Sequence, residues 1–344
     1  MQHEITTPSR LLDEHGRLLQ QGWARQPYLD CNLEDVAFYA IKPLQFLRVK
    51  QWDYYAIFTP DLFFSVTVAD IGYIGNIFVY LLDFEANWLH EESIIAPFGK
   101  AVKLPRNSTE GDVRFDNGKV SIHFQLGENT RRIVVDWPIF HQGEGIAADI
   151  TLSCSPDHES IVMATPIGQK RFYYNRKINC LPAEGWIRRG GRQVDLNSQT
   201  CLGGLDWGRG VWEYASFWNW ASASAYLPDG RTLGLNMGSG FGDLSHATEN
   251  CFVLDGRVHK LEDIPFEYDP VDYMKPWRFA SSDGRLNLDF VPFKERVAKT
   301  NLLVLTSEVH QMFGRYTGTL VTDDGETIEA RDLVGFAEEH RARW

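Results

Sequence analysis

The sequence predicts an all-β protein: two antiparallel β-barrel or β-sandwich domains packed together, with few short helices. Three observations predict it. Short runs rich in Val, Ile, Phe and Tyr recur along the chain, turn residues separate them, and helical periodicity is scarce. Many short strands with frequent turn signals mark barrels and sandwiches. A length of 344 residues suggests two domains more readily than one.

In chain order, the N-terminal segment "MQHEITTPSRLLDEHGRLLQ" is a candidate helix. "WDYYAIFTP", "LFFSVTVAD", "IFVYLLDF", "KVSIHFQL", "RRIVVDW" and "IAADITLSCS" read as strands, bounded by turns such as "TPD", "DNGK" and "GENT". "SPDHESIVMATPIGQKRF" is the expected boundary, giving domains 1–165 and 166–344. Beyond it, "RTLGLNMG", "NCFVLDG", "LNLDFVPF", "TNLLVLTSEV" and "RYTGTLVTDDGETIEARDLVGF" repeat the strand style. "NSQTCLGG" and "FAEEHRARW" are further candidate helices. "GSGFGD" is not a phosphate loop: it lacks the Lys-Ser/Thr ending of a P-loop and has strands on both sides.

Composition narrows the function. The net charge of −12 argues against a nucleic-acid backbone or an anionic membrane surface as partner. No apolar run reaches the roughly 20 residues of a membrane span, since Asp70, Gly72 and Gly75 interrupt "LFFSVTVADIGYIGNIFVYLL". The N-terminus lacks a secretory signal, so a cytoplasmic protein is expected. The 5 cysteines are scattered and form no C-x-x-C pair, which predicts buried free thiols and no metal site. Eleven tryptophans are many for this length, and such rings suit cores and apolar ligand sites alike.

The tryptophans concentrate in "LDWGRGVWEYASFWNWASASAYLPDGRTLGLNMGSGFGD". Here "AYLPDGRTL" predicts a hairpin with a type I turn at Pro228-Asp229 and Gly230 in the left-handed position. That turn pairs Leu227 with Arg231. Odd positions then form an apolar face of Ala221, Ala223, Ala225, Leu233, Leu235 and Met237. Even positions mix Trp218, Trp220, Ser222, Ser224, Tyr226, Asn236, Gly238 and Gly240, with Trp220 opposite Gly238. Indoles set against bare backbone leave room, so this face predicts a ligand pocket.

Motifs around the hairpin carry a resemblance. "LDWGRGVWEYASFWNWASA", "GLNMGSGFGDLSHATEN" and "GFAEEHRARW", with the early "LLDEHGRLLQQGWAR", "WDYYAIFTPD" and "DIGYIGN", resemble a bacterial family known as domain of unknown function 2804. Asp206-Trp207-Gly208, then Trp218-x-Trp220, then Asp229-Gly230, is more distantly similar to the carotenoid 1,2-hydratase and AttH-like group. That resemblance implies two lipocalin-like domains with an apolar pocket. It also implies chemistry on isoprenoid- or polyketide-like molecules by alkene protonation, hydration or cyclisation. The chain departs from the group's pattern after Asp206, where Trp-Gly follows at once and Arg209 comes next.

The candidate catalytic residues are Asp206, Arg209 and Glu249. A carboxyl beside an indole in an apolar pocket gains proton affinity by desolvation, as a general acid requires. Arg209 would oppose that effect. The candidate ligand-binding residues are Trp207, Trp212, Trp218, Trp220, Tyr226, Asn236, Tyr174 and Tyr73. Glu213, His246, Glu338, Glu339 and His340 are further titratable candidates. Lys177 lies on the strand face opposite Tyr174, where a structural role is expected. Two functions follow. One is an enzyme without a cofactor, a hydratase, isomerase or cyclase working by acid catalysis on an apolar small molecule. The alternative is a non-catalytic lipid carrier or sensor, with Asn236 or Arg209 orienting a head group. A scaffold whose cleft is filled by its own C-terminal segment is a third. The sequence sets no oligomeric state.

Overall fold

The computed structural model describes residues 2–97, 102–302 and 305–344. Among the described residues, almost all regular structure is β. One antiparallel sheet of 13 strands and another of 9 each curl into a half-barrel, giving a double lipocalin-like fold. Among the described residues, helix is confined to short turns at Leu33–Asp35, Lys42–Leu47 and Phe140–Gly143. No described helix is long and apolar enough to cross a membrane.

The first sheet runs through Trp88–Pro97, Ile74–Asp83, Leu62–Asp70, Lys50–Phe58, Leu202–Val211 and Arg171–Arg189, then on to Val113–Asp116. The second is centred on Ala215–Tyr226, Thr327–Arg343, Leu305–Val321 and Leu286–Leu302. At the expected boundary after residue 165 the chain stays within the first sheet, where Ile161–Gly168 pairs with Arg171–Arg189. It passes to the second sheet between Val211 and Ala215.

Side chains alternate across a strand, so each strand serves two layers. Tyr55, Ile57, Phe64, Val66 and Trp207 turn into the first half-barrel and fill it. Ala221, Ala223, Leu233, Leu235 and Met237 fill the second. The opposite faces meet between the sheets in a third, largely aromatic cluster of Tyr54, Phe58, Phe63, Tyr80, Trp220, Phe313 and Phe336. The Phe63 and Phe313 ring centroids lie 4.8 Å apart across that junction.

Three candidate helices are not helices. The described part of the N-terminal segment is extended chain with isolated bridges. "NSQTCLGG" holds a turn that leads into Leu202–Val211. "FAEEHRARW" completes the strand Thr327–Arg343. Its good helix formers lose to an alternating pattern, with Ala337 in the second core while Phe336 enters the junction and Glu338 lines the space beside it.

Candidate functional site

The hairpin has the expected register. The Leu227 amide donates to the Arg231 carbonyl, Gly230 has φ +90°, and Trp220 pairs with Gly238. The Gly238 position is not empty, however. A Cβ there would collide with the Glu249 carboxylate, so the missing side chain admits Glu249. Gly208 acts alike: a Cβ would strike the Trp52 ring on the neighbouring strand.

A cavity of about 260 Å³ opens here, between the sheets rather than inside either half-barrel, and both sheets supply its walls. Register gives it direction. In the first sheet Lys177 pairs with Asp206, Asp206 with Tyr54 and Tyr54 with Thr67. In the second, Gly238 pairs with Trp220, Trp220 with Glu338, Glu338 with Gln311 and Gln311 with Arg296. These two rungs meet, with the Lys177 ammonium 3.8 Å from the Trp220 ring centre and Tyr54 edge-on to Trp220. They form a polar floor, with the aromatic junction behind it. One rung toward the other end come Asn175, Trp52 and Asn76 on one sheet and Trp218, His340 and Val309 on the other. Ile71, Ile74, Trp212, Phe241, Leu305 and Trp344 close the far end, which is apolar apart from the buried, unpartnered indole nitrogens of Trp212 and Trp344.

The floor holds two incompletely neutralised carboxyls. Lys177 is shared, 3.5 Å from Asp206 and 3.6 Å from Glu249, longer than good charge-assisted contacts. Glu249 also accepts from the Asn175 amide at 2.9 Å. Asp206 Oδ1 is buried without a hydrogen-bond partner. Burial raises the proton affinity of Asp206, Lys177 opposes this, and the Trp52 indole lies near enough to oppose it weakly.

Glu338 comes from the other sheet. It accepts from Gln311 Nε2 at 3.0 Å. Gln311 is held in that orientation because its carbonyl accepts from the Tyr80 hydroxyl and from Arg296. Arg296 in turn is neutralised by Glu91 at 2.6 Å, across the sheet junction. Burial pushes the Glu338 carboxyl up to about 7, with Arg296 and Lys177 pulling the other way. His340, pushed down to about 3 by burial, is a neutral imidazole sharing a 2.8 Å hydrogen bond with Ser307. Among the described residues no three His, Cys, Asp or Glu side chains converge to hold a metal ion.

A sequence profile described as a domain of unknown function (DUF2804) matches residues 2–344. The chain belongs to this family. No curated protein matches it by sequence. Solved structures of similar shape include CghA with Sch210972, at TM-score 0.56 and 11% identity, covering 86% of this chain and 88% of that one. Kievitone hydratase from Nectria haematococca gives 0.47 and 10%, over 86% and 88% of the two chains. An AttH-type protein from Nitrosomonas europaea gives 0.44 and 14%, over 88% and 94%. At 11% identity, the CghA likeness shows a shared fold.

In this DUF2804 chain, the structure brings Asp206, Glu249, Trp212, Trp218 and Trp220 to the cavity wall. The other sequence-derived candidates lie elsewhere. Trp207 and Arg209 sit on the opposite face of their strand, stacked 4.2 Å apart, with Arg209 paired to Asp53 and not to Asp206. Tyr174 packs edge-on to Trp207 and donates to the Leu29 carbonyl. Tyr226 donates to the Ser198 carbonyl near the hairpin end. Tyr73 lies against Lys50. Asn236 stands behind the wall, accepting from the Trp220 indole at 2.9 Å and so fixing that ring. Of the further titratable candidates, Glu338 and His340 line the cavity, Glu213 faces solvent beside Arg171, and Glu339 takes two tyrosine hydroxyls. The C-terminal segment supplies walls through Glu338, His340 and Trp344 rather than filling the cleft. Lys177, Gln311 and Arg296 complete the floor. The signal for Lys177 was present in "RFYYNRKIN": its odd face, Tyr173, Asn175 and Lys177, is polar throughout.

Proposed function

We propose that this protein binds an apolar small molecule in the intersheet cavity and acts on it by acid catalysis, as a hydratase, isomerase or cyclase. One observation carries the reading: two buried carboxyls, Asp206 and Glu338, come from opposite sheets to the floor of one aromatic cavity. Glu338 retains a proton near neutral pH, which suits it to donate. Asp206, beside Lys177, is the acceptor. Glu338 gives its proton to one carbon of a C=C bond, leaving a cation on the other. Either water adds there and passes a proton to a carboxylate, or Asp206 takes a neighbouring C–H proton and the alkene re-forms elsewhere. The Trp218 and Trp212 faces favour the intervening positive charge. The fold relative CghA, solved with Sch210972, is compatible with a small-molecule site.

The test begins with native mass spectrometry of freshly purified protein and extraction of what co-purifies. The recovered compound is then incubated with wild type and Glu338→Gln. The expected result is conversion by wild type and a loss of about 100-fold or more in the variant. Conversion undiminished in Glu338→Gln removes the acid role. A ligand that binds and is returned unchanged supports the carrier alternative.

A further inference from the structure

We infer that the ligand is a neutral, elongated molecule with a hydroxyl at one end, bound hydroxyl-inward, and that the cavity rejects the matching carboxylate. This deepens the proposed function and rests on it for the site, not for the chemistry.

Polarity along the cavity is the first support. The floor rungs carry Lys177, Asp206, Glu338, Gln311 and Arg296, whereas the far end is Ile71, Ile74, Phe241, Leu305 and Trp344. A molecule lying along this axis buries an apolar body against the far end and must satisfy polar groups at the floor.

The floor specifies which polar group. Buried oxygens with no partner belong to four described wall residues: the Thr67 hydroxyl and Asn76 Oδ1 and, on the two strands that carry Lys177 and Asp206, Asp206 Oδ1 and Asn175 Oδ1. Asp206 and Asn175 are only 7% and 1% exposed. They sit on adjacent paired strands, since Lys177 faces Asp206 and Asn175 faces Gly208. A buried acceptor left unmatched is costly, so a ligand that brings a donor to this spot gains what the free protein lacks.

Charge decides against an anion. The wall contains three carboxylates, Glu91, Asp206 and Glu249, and the proton-retaining Glu338, against two cations, Lys177 and Arg296. Arg296 is engaged by Glu91, and Lys177 already lies between Asp206 and Glu249. His340 is neutral. A ligand carboxylate would enter with no free cation to meet it, beside two carboxyls that are themselves desolvated. An alcohol supplies the donor without the charge.

A chain-matched series tests this on the intact wild-type protein: 1-dodecanol, dodecane, dodecanoate and dodecylamine, read by tryptophan fluorescence and titration calorimetry. The expected result is tightest binding for dodecanol, with dodecanoate weaker by about tenfold or more. Asn175→Leu should lower dodecanol affinity about five- to tenfold and leave dodecane unchanged. Equal affinity for dodecanol and dodecane, or dodecanoate binding as well as dodecanol, overturns the inference while leaving an apolar site in place. Dodecylamine exceeding dodecanol by tenfold overturns it in favour of a cation site. No binding by any member removes the site itself, and the proposed function with it.

Discussion

Asp206 and Arg209 lie three residues apart on one strand and are both buried, yet their surroundings differ in kind. Arg209 faces the first core. Its terminal nitrogens meet Asp53 at 2.9 Å and the carbonyls of Trp52, Gly208 and Pro105, so that only its Nε lacks a partner. Asp206 faces the cavity, 3.5 Å from a lysine it shares with Glu249, and leaves one oxygen bare. A charge whose partners are supplied by its own fold serves the fold. A charge left short of partners in an accessible cavity stores capacity for something that arrives later.

The comparison breaks most decisively by substitution. Arg209→Ala strands the Asp53 carboxylate in the core and should lose about 3–5 kcal/mol of stability. Asp206→Asn removes a poorly paired charge and leaves Lys177 with Glu249. It should change stability by less than about 1 kcal/mol while abolishing turnover. Urea denaturation of both variants checks the contrast. Similar losses in the two would mean that Asp206 is structural as well.

Glu338 sharpens the same contrast through pH. Its carboxyl is raised in the folded protein from 4.5 to about 7, so between those values the native state binds more protons than the unfolded chain. Stability from this group is therefore present at low pH and declines as pH rises from 4.5 to about 7. The total loss is at most about 3 kcal/mol. Glu338→Gln should flatten that slope, measured as the denaturation midpoint from pH 4 to 8. In wild type, turnover should fall as pH rises above about 7, where the donor proton is lost.

Gly238→Ala probes how the glycine serves the floor. The added methyl must push the Glu249 carboxylate aside, at a cost of about 1–3 kcal/mol. Glu249 raises the proton affinity of Asp206, so its displacement should lower it. NMR titration of the Asp206 carboxyl would show the shift, and an unchanged titration would mean that Glu249 has not moved.

The sequence made one rung of the site legible and hid the others, for a physical reason. A tight turn fixes local register, so Pro228-Asp229-Gly230 was enough to place Trp220 against Gly238. Period-two alternation also separates Tyr174 from Lys177. Alternation assigns a face but not a neighbour. That Glu338 lies beside Trp220, or that Lys177 lies beside Asp206, depends on pairings between distant segments that no local pattern encodes. The same gap separates Trp207 and Arg209 from Asp206, because closeness along a strand is not closeness in space. "FAEEHRARW" differs: it is rich in helix formers, yet tertiary packing holds it to the alternation of a strand.

The smallest expected effect isolates a pocket ring whose indole nitrogen is tethered behind the wall. Trp220 donates to Asn236 Oδ1, while Asn236 Nδ2 donates to the Glu249 carbonyl. Trp220→Phe keeps an aromatic face beneath Lys177 but deletes that bond, at a cost of about 1 kcal/mol. Without its tether the smaller ring can tilt, and Lys177 loses part of the surface that holds it midway between Asp206 and Glu249. Ligand affinity should fall two- to threefold, roughly the effect of a few tenths of a kcal/mol or slightly more. Asn236→Ala removes the same bond from the other side together with its bond to the Glu249 carbonyl, so its effect should be at least as large. If Trp220→Phe weakens binding far more than Asn236→Ala, the indole touches the ligand directly and its tether is secondary.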